Sequence, residues 1–316
     1  MSISKYSGLL LIDKPVDLTS HDVVYKIRKK YKVKVGHCGT LDPFASGLLV
    51  LVLGEATKIA SYISSNNKYY NCEILLGQTS DTLDITGECK TTALQKELLF
   101  SEMDIKKAIK KLTGKISLEV PMYSAVKVKG KKLYEYAREN KNLEKIPIRE
   151  MNFLDVQFLS YKDNILKITM KVSSGTYVRA WAKALGEYLK VGGLVKSLRR
   201  VTSSPYNLNQ AMDLPTALHL NLSENNNEDS WNKAFIPINK TLLEMDKIFF
   251  SSKEAHLLKN GQIPHSVENA LVVAQRQAQK LKESHLYVCL NKDEELLGIL
   301  EIAISGKLSI KRIMAN

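Results

Sequence analysis

At 316 residues the chain exceeds one typical core, so a main domain with a smaller companion is the expected layout. Lys and Arg number 46 against 33 Asp and Glu, a formal charge of +13, which favours a polyanionic partner such as nucleic acid over a small acidic metabolite. The opening MSISKYSGLLLIDKP lacks the pattern of a secretory signal, and the longest apolar run, GLLVLVLG, is far short of the roughly 20 residues of a spanning helix, so a cytoplasmic protein with no membrane partner is expected.

The GLLLID stretch at 8–13 predicts a buried strand, ended at Lys14 and Pro15 because proline has no N–H for a ladder. Thr19 with Asp22 three residues on has the form of a capping box. Val23, Val24, Ile27 and Tyr31 then recur at helical spacing, opposite a basic face of Lys26, Arg28, Lys29 and Lys30. A glycine-rich loop, GHCGTLDPFASG at 36–47, leads into an apolar strand at 48–53, a short helix at 55–63 and a strand at 68–77 that enters the polar turn QTSDTLDITG. Segments 153–160 and 165–173 alternate as an antiparallel pair around KDN. A helix opens near Arg179, with Trp181, Ala184, Leu185 and Tyr188 spaced to bury one side. The polar NLSENNNEDS at 221–230 reads as a linker or exposed loop. From about Met245, the patterns KIFF, HLYVCL, LLGILEIAI and KLSIKRI predict a small β-rich unit. Strands and helices mix without regular βαβ alternation, which predicts an α+β fold rather than a doubly wound sheet.

Four cysteines, Cys38, Cys72, Cys89 and Cys289, lie far apart without CxxC spacing, as reduced thiols do. Cys38 follows His37 directly, and adjacent residues do not readily point into one tetrahedral metal site. The loop at 36–47 surrounds a single carboxylate, Asp42, with three glycines, which imply an imposed backbone shape. It lacks the GK[ST] ending of a phosphate-binding loop, the GxSxG of a serine elbow, and the second nearby carboxylate of an ordinary glycosidase pair.

The stretch GHCGTLDPFASGLL resembles the catalytic motif of the bacterial tRNA pseudouridine synthase B family, GHxGTLDPxAxGxL. DKPVDLTSHDVV at 13–24, YNCEILLGQTSDTLDITG at 70–87, PMYSAVKVKGKKLYEYAR at 121–138, SSGTYVRAWAKALGE at 173–187 and LRR at 198–200 follow in the family's order. The resemblance implies a pseudouridine synthase fold: a mixed, mainly antiparallel central sheet flanked by helices in a catalytic domain at 1–240. An RNA-gripping insertion at about 118–150 would carry Lys127, Lys129, Lys131 and Lys132. A small PUA-like RNA-binding domain would occupy 245–316, where the match is looser.

The implied activity is isomerisation of the uridine at position 55 in the T stem-loop of tRNA, by a monomer without cofactor or metal. The N1–C1′ bond breaks, uracil rotates in place, and C5 bonds to C1′. The resemblance makes Asp42 the catalytic residue, either attacking C1′ or removing the C2′ proton, and makes Arg179 its ion-pair partner. Tyr70 would stack on the flipped base, Tyr177 and Leu198 would line its pocket, and Asp84 would contact the base edge. His37 would fill the space that the base vacates, and Lys14 and Pro15 would support the catalytic loop, more by packing than by chemistry. Arg199 and Arg200 would face phosphate or acidic neighbours.

Read without the resemblance, Tyr70 and Tyr177 are core tyrosines, Arg179 is a surface arginine at a helix start, and Asp84 forms an Asx turn. Ser80, Val120, Ser173 and the Ala180 and Trp181 pair depart from the family pattern, Trp181 with extra bulk near the pocket. Two other functions fit the composition: a non-catalytic RNA-binding or tRNA-folding protein, and a nucleoside hydrolase. Asp42 weighs against the first, since a carboxylate repels phosphates, and the absent second carboxylate weighs against the hydrolase.

Overall fold

A computed structural model describes residues 6–64, 67–92, 100–139, 143, 145–220, 228–242 and 245–314. The main elements in chain order are β1 (Gly8–Lys14), α1 (Ser20–Tyr31), β2 (Ser46–Leu53), β3 (Lys68–Leu76), α2 (Glu102–Lys111), β4 (Gly114–Glu119), β5 (Ile148–Lys162), β6 (Ile165–Val172), α3 (Val178–Tyr188) and β7 (Gly193–Ser203). The strands join in one eleven-stranded sheet whose backbone order is Met212–Asp213, β1, β2, β7, β3, β6, β5, β4. Along this path only β1 with Met212–Asp213 and β2 with β7 pair in parallel. The sheet is therefore mixed and mainly antiparallel, as the α+β expectation requires.

The unbroken apolar runs of β1 and β2 have a physical cause, because both faces of these strands are covered. Alternate residues of a strand point to opposite faces. Leu10, Ile12, Leu49 and Leu51 enter a core with α1 and α3, whereas Leu9, Leu11, Leu48 and Val50 enter another with Val288, Leu290 and Ile299 from the C-terminal sheet.

Thr19 caps α1 through the reciprocal bonds that its pairing with Asp22 predicts. The β5 and β6 strands turn through Asp163 and Asn164 at φ 51° and 60°, the left-handed pair a two-residue hairpin needs. The expected short helix at 55–63 is split: a 3₁₀ segment, Gly54–Ile59, runs into a single α turn, Ala60–Ser64.

Helix α3 begins where its motif places it, but Tyr188 is exposed, and the covered face is made by Val178, Trp181, Ala182 and Leu185. Trp181 does not reach the pocket. Its indole is fully buried, lies 6.3 Å from the Phe153 ring and donates from Nε1 to the Leu112 carbonyl at 2.8 Å just past α2. Trp181→Ala is expected to destabilise the fold by about 3–5 kcal/mol, read by urea denaturation, because it opens a large cavity and orphans a buried acceptor.

Of the predicted linker at 221–230, residues 221–227 lie outside the described residues. The last three begin a helix, Glu228–Ala234, whose Trp231 stacks on Phe235 with ring centroids 4.8 Å apart.

The C-terminal unit holds four strands in sequential order: β8 (Asp246–Phe250), β9 (His285–Asn291), β10 (Leu296–Ile302) and β11 (Leu308–Ile313). Three helices, Ser252–Lys259, His265–Ala270 and Val272–Leu281, lie between β8 and β9. They supply the crossover that the parallel β8–β9 pairing demands.

The parallel contact of β2 with β7 matters most for the site. It sets Arg199 beside Ser46 and Arg200 beside Gly47, so the LRR segment runs along the glycine loop. A Cβ on Gly47 would sit 2.3 Å from the Arg200 carbonyl oxygen, and its φ of +102° is open to glycine alone. That glycine makes room for the protein's own strand.

Candidate active site

A cleft of about 600 Å³ opens where the glycine loop, β3, β7 and the start of α3 meet, within the range of small-ligand sites. Asp42 lies in its wall, with 32 % of its side chain exposed. The loop that carries it is held from below. Lys14 is fully buried, and its Nζ donates to the carbonyls of Pro15 at 2.8 Å, Leu18 at 2.6 Å and Pro43 at 3.3 Å. Ser20 Oγ donates to the Leu41 carbonyl and accepts from the Leu41 N–H, so the first turn of α1 grips the residue before Asp42. Lys14 thus supports the loop by directed hydrogen bonds as well as by packing.

Burial holds the Lys14 ammonium down to about 8, against the partial opposition of Asp42 and Asp17. Any reaction that depends on Asp42 is expected to slow, in single turnovers, as the pH rises past this value, when the loop loses a charged donor. Between about 8 and 10.5 the unfolded chain binds more protons at this group than the folded one, so Lys14 makes the fold more stable as pH rises there. Loss of rate without loss of structure is the predicted signature. Lys14→Met is expected to cost on the order of 10²-fold in rate through misplacement of the loop.

Arg179, at the second position of α3 and 4 % exposed, meets Asp42 in a two-toothed pair. Its Nε donates to Oδ2 and its Nη2 to Oδ1, each at 3.0 Å. The other donors go to the Thr82 carbonyl at 2.8 Å and the Tyr123 carbonyl at 2.9 Å, and Nη1 also lies 3.7 Å from Asp84 Oδ2. Four of the five N–H groups of the guanidinium thus donate hydrogen bonds, and Asp84 adds an ion pair at Nη1, which together fix the fork. Burial pushes the Asp42 carboxyl above its ordinary range. Arg179 opposes this by charge and by hydrogen bonds, Asp84 adds to it, and Lys14 lowers it weakly. With both oxygens accepting from the fork, the geometry is that of a carboxylate.

The other predicted residues are distributed as follows. Tyr70 on β3, Tyr177 at the cap of α3 and Leu198 on β7 all line the cleft, with Tyr70 and Leu198 nearly covered. His37 also lines it. Burial first, and the Arg200 charge second, lower the pKa of this imidazole, which favours a neutral ring.

Asp84 is not among the lining residues. It is buried behind Arg179, its Oδ1 accepting from the Thr82 hydroxyl and from the Thr86 N–H and hydroxyl. It forms the Asx turn that its position in the polar turn also predicts, and its other oxygen faces the guanidinium. Arg199 pairs with Asp13 at 2.6 Å. Arg200 donates instead to backbone carbonyls, of Leu48 and Gly39.

Among the departures from the family pattern, Ser80 donates from Oγ to the Asp84 carbonyl at 2.6 Å and Ser173 meets Thr176 at 3.2 Å. Of the four insertion lysines, Lys127 and Lys129 are exposed. Lys131 lies over the Tyr136 ring and pairs with Glu139, and Lys132 lies over Tyr134.

Sequence reasoning missed Ser20, Tyr123 and Thr82. Ser20 follows an N-cap inside an otherwise polar first turn, a signal too common to single it out. Tyr123 and Thr82 act through backbone carbonyls, which carry no residue signature.

Comparison with solved structures places this architecture with a chain of a Cbf5-Nop10-Gar1 complex, at a TM-score of 0.71 over 99 % of this chain and 87 % of that one, with 20 % identity. A chain from an H/ACA RNP bound to a substrate RNA containing 2′-deoxyuridine aligns at a TM-score of 0.69, with 98 % and 86 % covered and 18 % identity. These matches concern the fold. The family model described as TruB family pseudouridylate synthase, N-terminal domain, matches residues 26–178, which hold Asp42, Tyr70, Asp84 and Tyr177. The class that the family model describes is that of the pseudouridylate synthases.

The tRNA pseudouridine synthase B of Bdellovibrio bacteriovorus is 35 % identical over 98 % of this chain and 97 % of its own length. Those of Caldicellulosiruptor saccharolyticus (43 %, over 66 % of this chain and 71 % of the relative) and Clostridium acetobutylicum (34 %, over 96 % and 98 %) are similar too. The chain belongs to the TruB family.

Proposed function

We propose that this protein isomerises a uridine of tRNA to pseudouridine, at position 55 of the T loop, with Asp42 as its catalytic residue. The observation that carries the reading is the Asp42–Arg179 pair: a carboxylate gripped at both oxygens by a guanidinium in the wall of a nucleotide-sized cleft, in a chain of this family. The target nucleotide must leave its stack, which costs a few kcal/mol that the site offsets. Tyr70 supplies a stacking face, Tyr177 and Leu198 close the pocket, and the neutral His37 occupies the space left in the RNA.

Asp42 then serves in one of two ways. Its carboxylate attacks C1′ as the N1–C1′ bond breaks, or it takes the C2′ proton to give a glycal. In both, uracil turns within the pocket and C5 bonds to C1′, displacing the carboxylate in the first route and with the proton returned to C2′ in the second; the C5 hydrogen then leaves as a proton and N1 takes one up. Arg179 favours the anionic form of Asp42 before it reacts and after it is released.

In this reading residues 1–240 form the catalytic domain, the insertion at about 118–150 grips RNA through its exposed lysines, and the C-terminal sheet unit at 245–316 is a PUA-like RNA-binding domain. The enzyme works as a cytoplasmic monomer and needs neither cofactor nor metal. A pure RNA binder has no use for a carboxylate in an anion-binding groove. The test is to incubate unmodified tRNA with the protein and map pseudouridine along it. One modified uridine in the T loop is expected, and release of free uracil would mean hydrolysis instead.

A further inference from the structure

Part of the cleft is cationic, and none of the roles above uses that charge. Lys68, the first residue of β3, is 6 % exposed and Arg200 on β7 is 1 % exposed; both line the cleft together with His37. Arg200 spends Nε and Nη2 on the Leu48 and Gly39 carbonyls. Its Nη1 and the Lys68 Cε both approach Gly39. A Cβ built on Gly39 would lie 3.5 Å from Arg200 Nη1 and 3.7 Å from Lys68 Cε, and the φ of +91° there keeps the position a glycine. The space between the two side chains is thus left open.

Beside them, His37 Nδ1 is buried and has no hydrogen-bond partner. Burial, and after it the Arg200 charge, hold Lys68 down to about 8. Two like charges held close in a partly dry cleft repel, and an anion between them turns that cost into attraction. Arg179 is committed elsewhere, with four of its N–H groups donating to Asp42, Thr82 and Tyr123 and its Nη1 also paired with Asp84.

Building on the proposed function, we infer that Lys68, Arg200 and His37 form a phosphodiester site within the cleft, which seats a backbone phosphate adjoining the target nucleotide. Held there, the phosphate fixes where the ribose lies relative to Asp42. Lys68 and Arg200 are then positioning residues that act on the substrate backbone and read no base.

The test measures the affinity of Asp42→Asn protein for a T stem-loop RNA against KCl concentration. Each phosphate flanking the target uridine is replaced in turn by a neutral methylphosphonate. One such linkage is expected to weaken binding about tenfold or more and to lower the salt slope by roughly 0.7–0.9. Lys68→Met is expected to give a similar loss on native RNA, and no further loss on the neutral linkage. The scan against unaltered Lys68 stands even if the methionine variant folds poorly. Equal tolerance of every neutral linkage, or losses that multiply between protein and RNA changes, would overturn the site. Pseudouridine formation by the native protein is scored separately. Product with multiplying losses keeps the proposed function and removes the phosphate site; coupled losses without product keep the phosphate site and remove the function.

Discussion

Asp42→Asn is expected to abolish pseudouridine formation, lowering the single-turnover rate by at least about 10⁴-fold, while tRNA affinity stays within about tenfold of the native value. The carboxamide keeps the shape of the side chain but can neither attack carbon with a full negative charge nor accept a carbon-bound proton. Binding is spared for an electrostatic reason: removing a negative charge from a groove that receives polyanionic RNA does not add repulsion. Filter binding and product analysis on one preparation separate the two effects. A variant that binds and turns over at the native rate would remove Asp42 from the chemistry.

Arg179→Met has the second largest expected effect, and its signature is a pH profile. The substitution leaves Asp42 and the buried Asp84 facing each other without the cation between them, which is expected to cost about 3–5 kcal/mol of stability. It also removes the influence that opposes burial at Asp42, so the Asp42 pKa rises further. The sign follows directly. Activity requires the carboxylate and is lost as pH falls through the Asp42 pKa, so the acid limb of the rate profile moves to higher pH in the variant. Arg179→Lys offers a point charge without the fork, and its acid limb is expected between the two. A profile with an unmoved acid limb, in a variant shown to be folded, would mean that Arg179 does not tune Asp42.

These effects rest on a pair separated by 137 positions in sequence, and the way that pair was found shows what the sequence reveals. Local chemistry was legible wherever a short segment decides its own shape. The Thr19 and Asp22 capping box, the hairpin at Asp163 and Asn164 and the apolar runs of β1 and β2 each carry their cause within a few residues. The prominence of Asp42 was legible too, because three glycines around one carboxylate need a reason.

The partner of Asp42 was not readable from periodicity; Arg179 came from the family motif, and the structure adds the two-toothed geometry. Asp84 carries both readings of its turn, and the structure shows the local one: its carboxylate folds back onto Thr82 and Thr86. Lys68 had no signal at all, since a lysine opening a strand reads as solvent-facing until the fold buries it in the same cleft as Arg200. The helices between β8 and β9 were missed because attention to strand patterns passes over short amphipathic turns, although the parallel pairing they permit makes them necessary.

The most direct measurement of the central claim uses tRNA carrying tritium at C5 of its uridines. The account predicts that the native protein releases tritium to water from one uridine per tRNA, that this residue is then found as pseudouridine in an unbroken chain, and that Asp42→Asn protein bound to the same tRNA releases none. Release of free uracil with tritium retained, or equal tritium release by the Asp42→Asn protein, would contradict it.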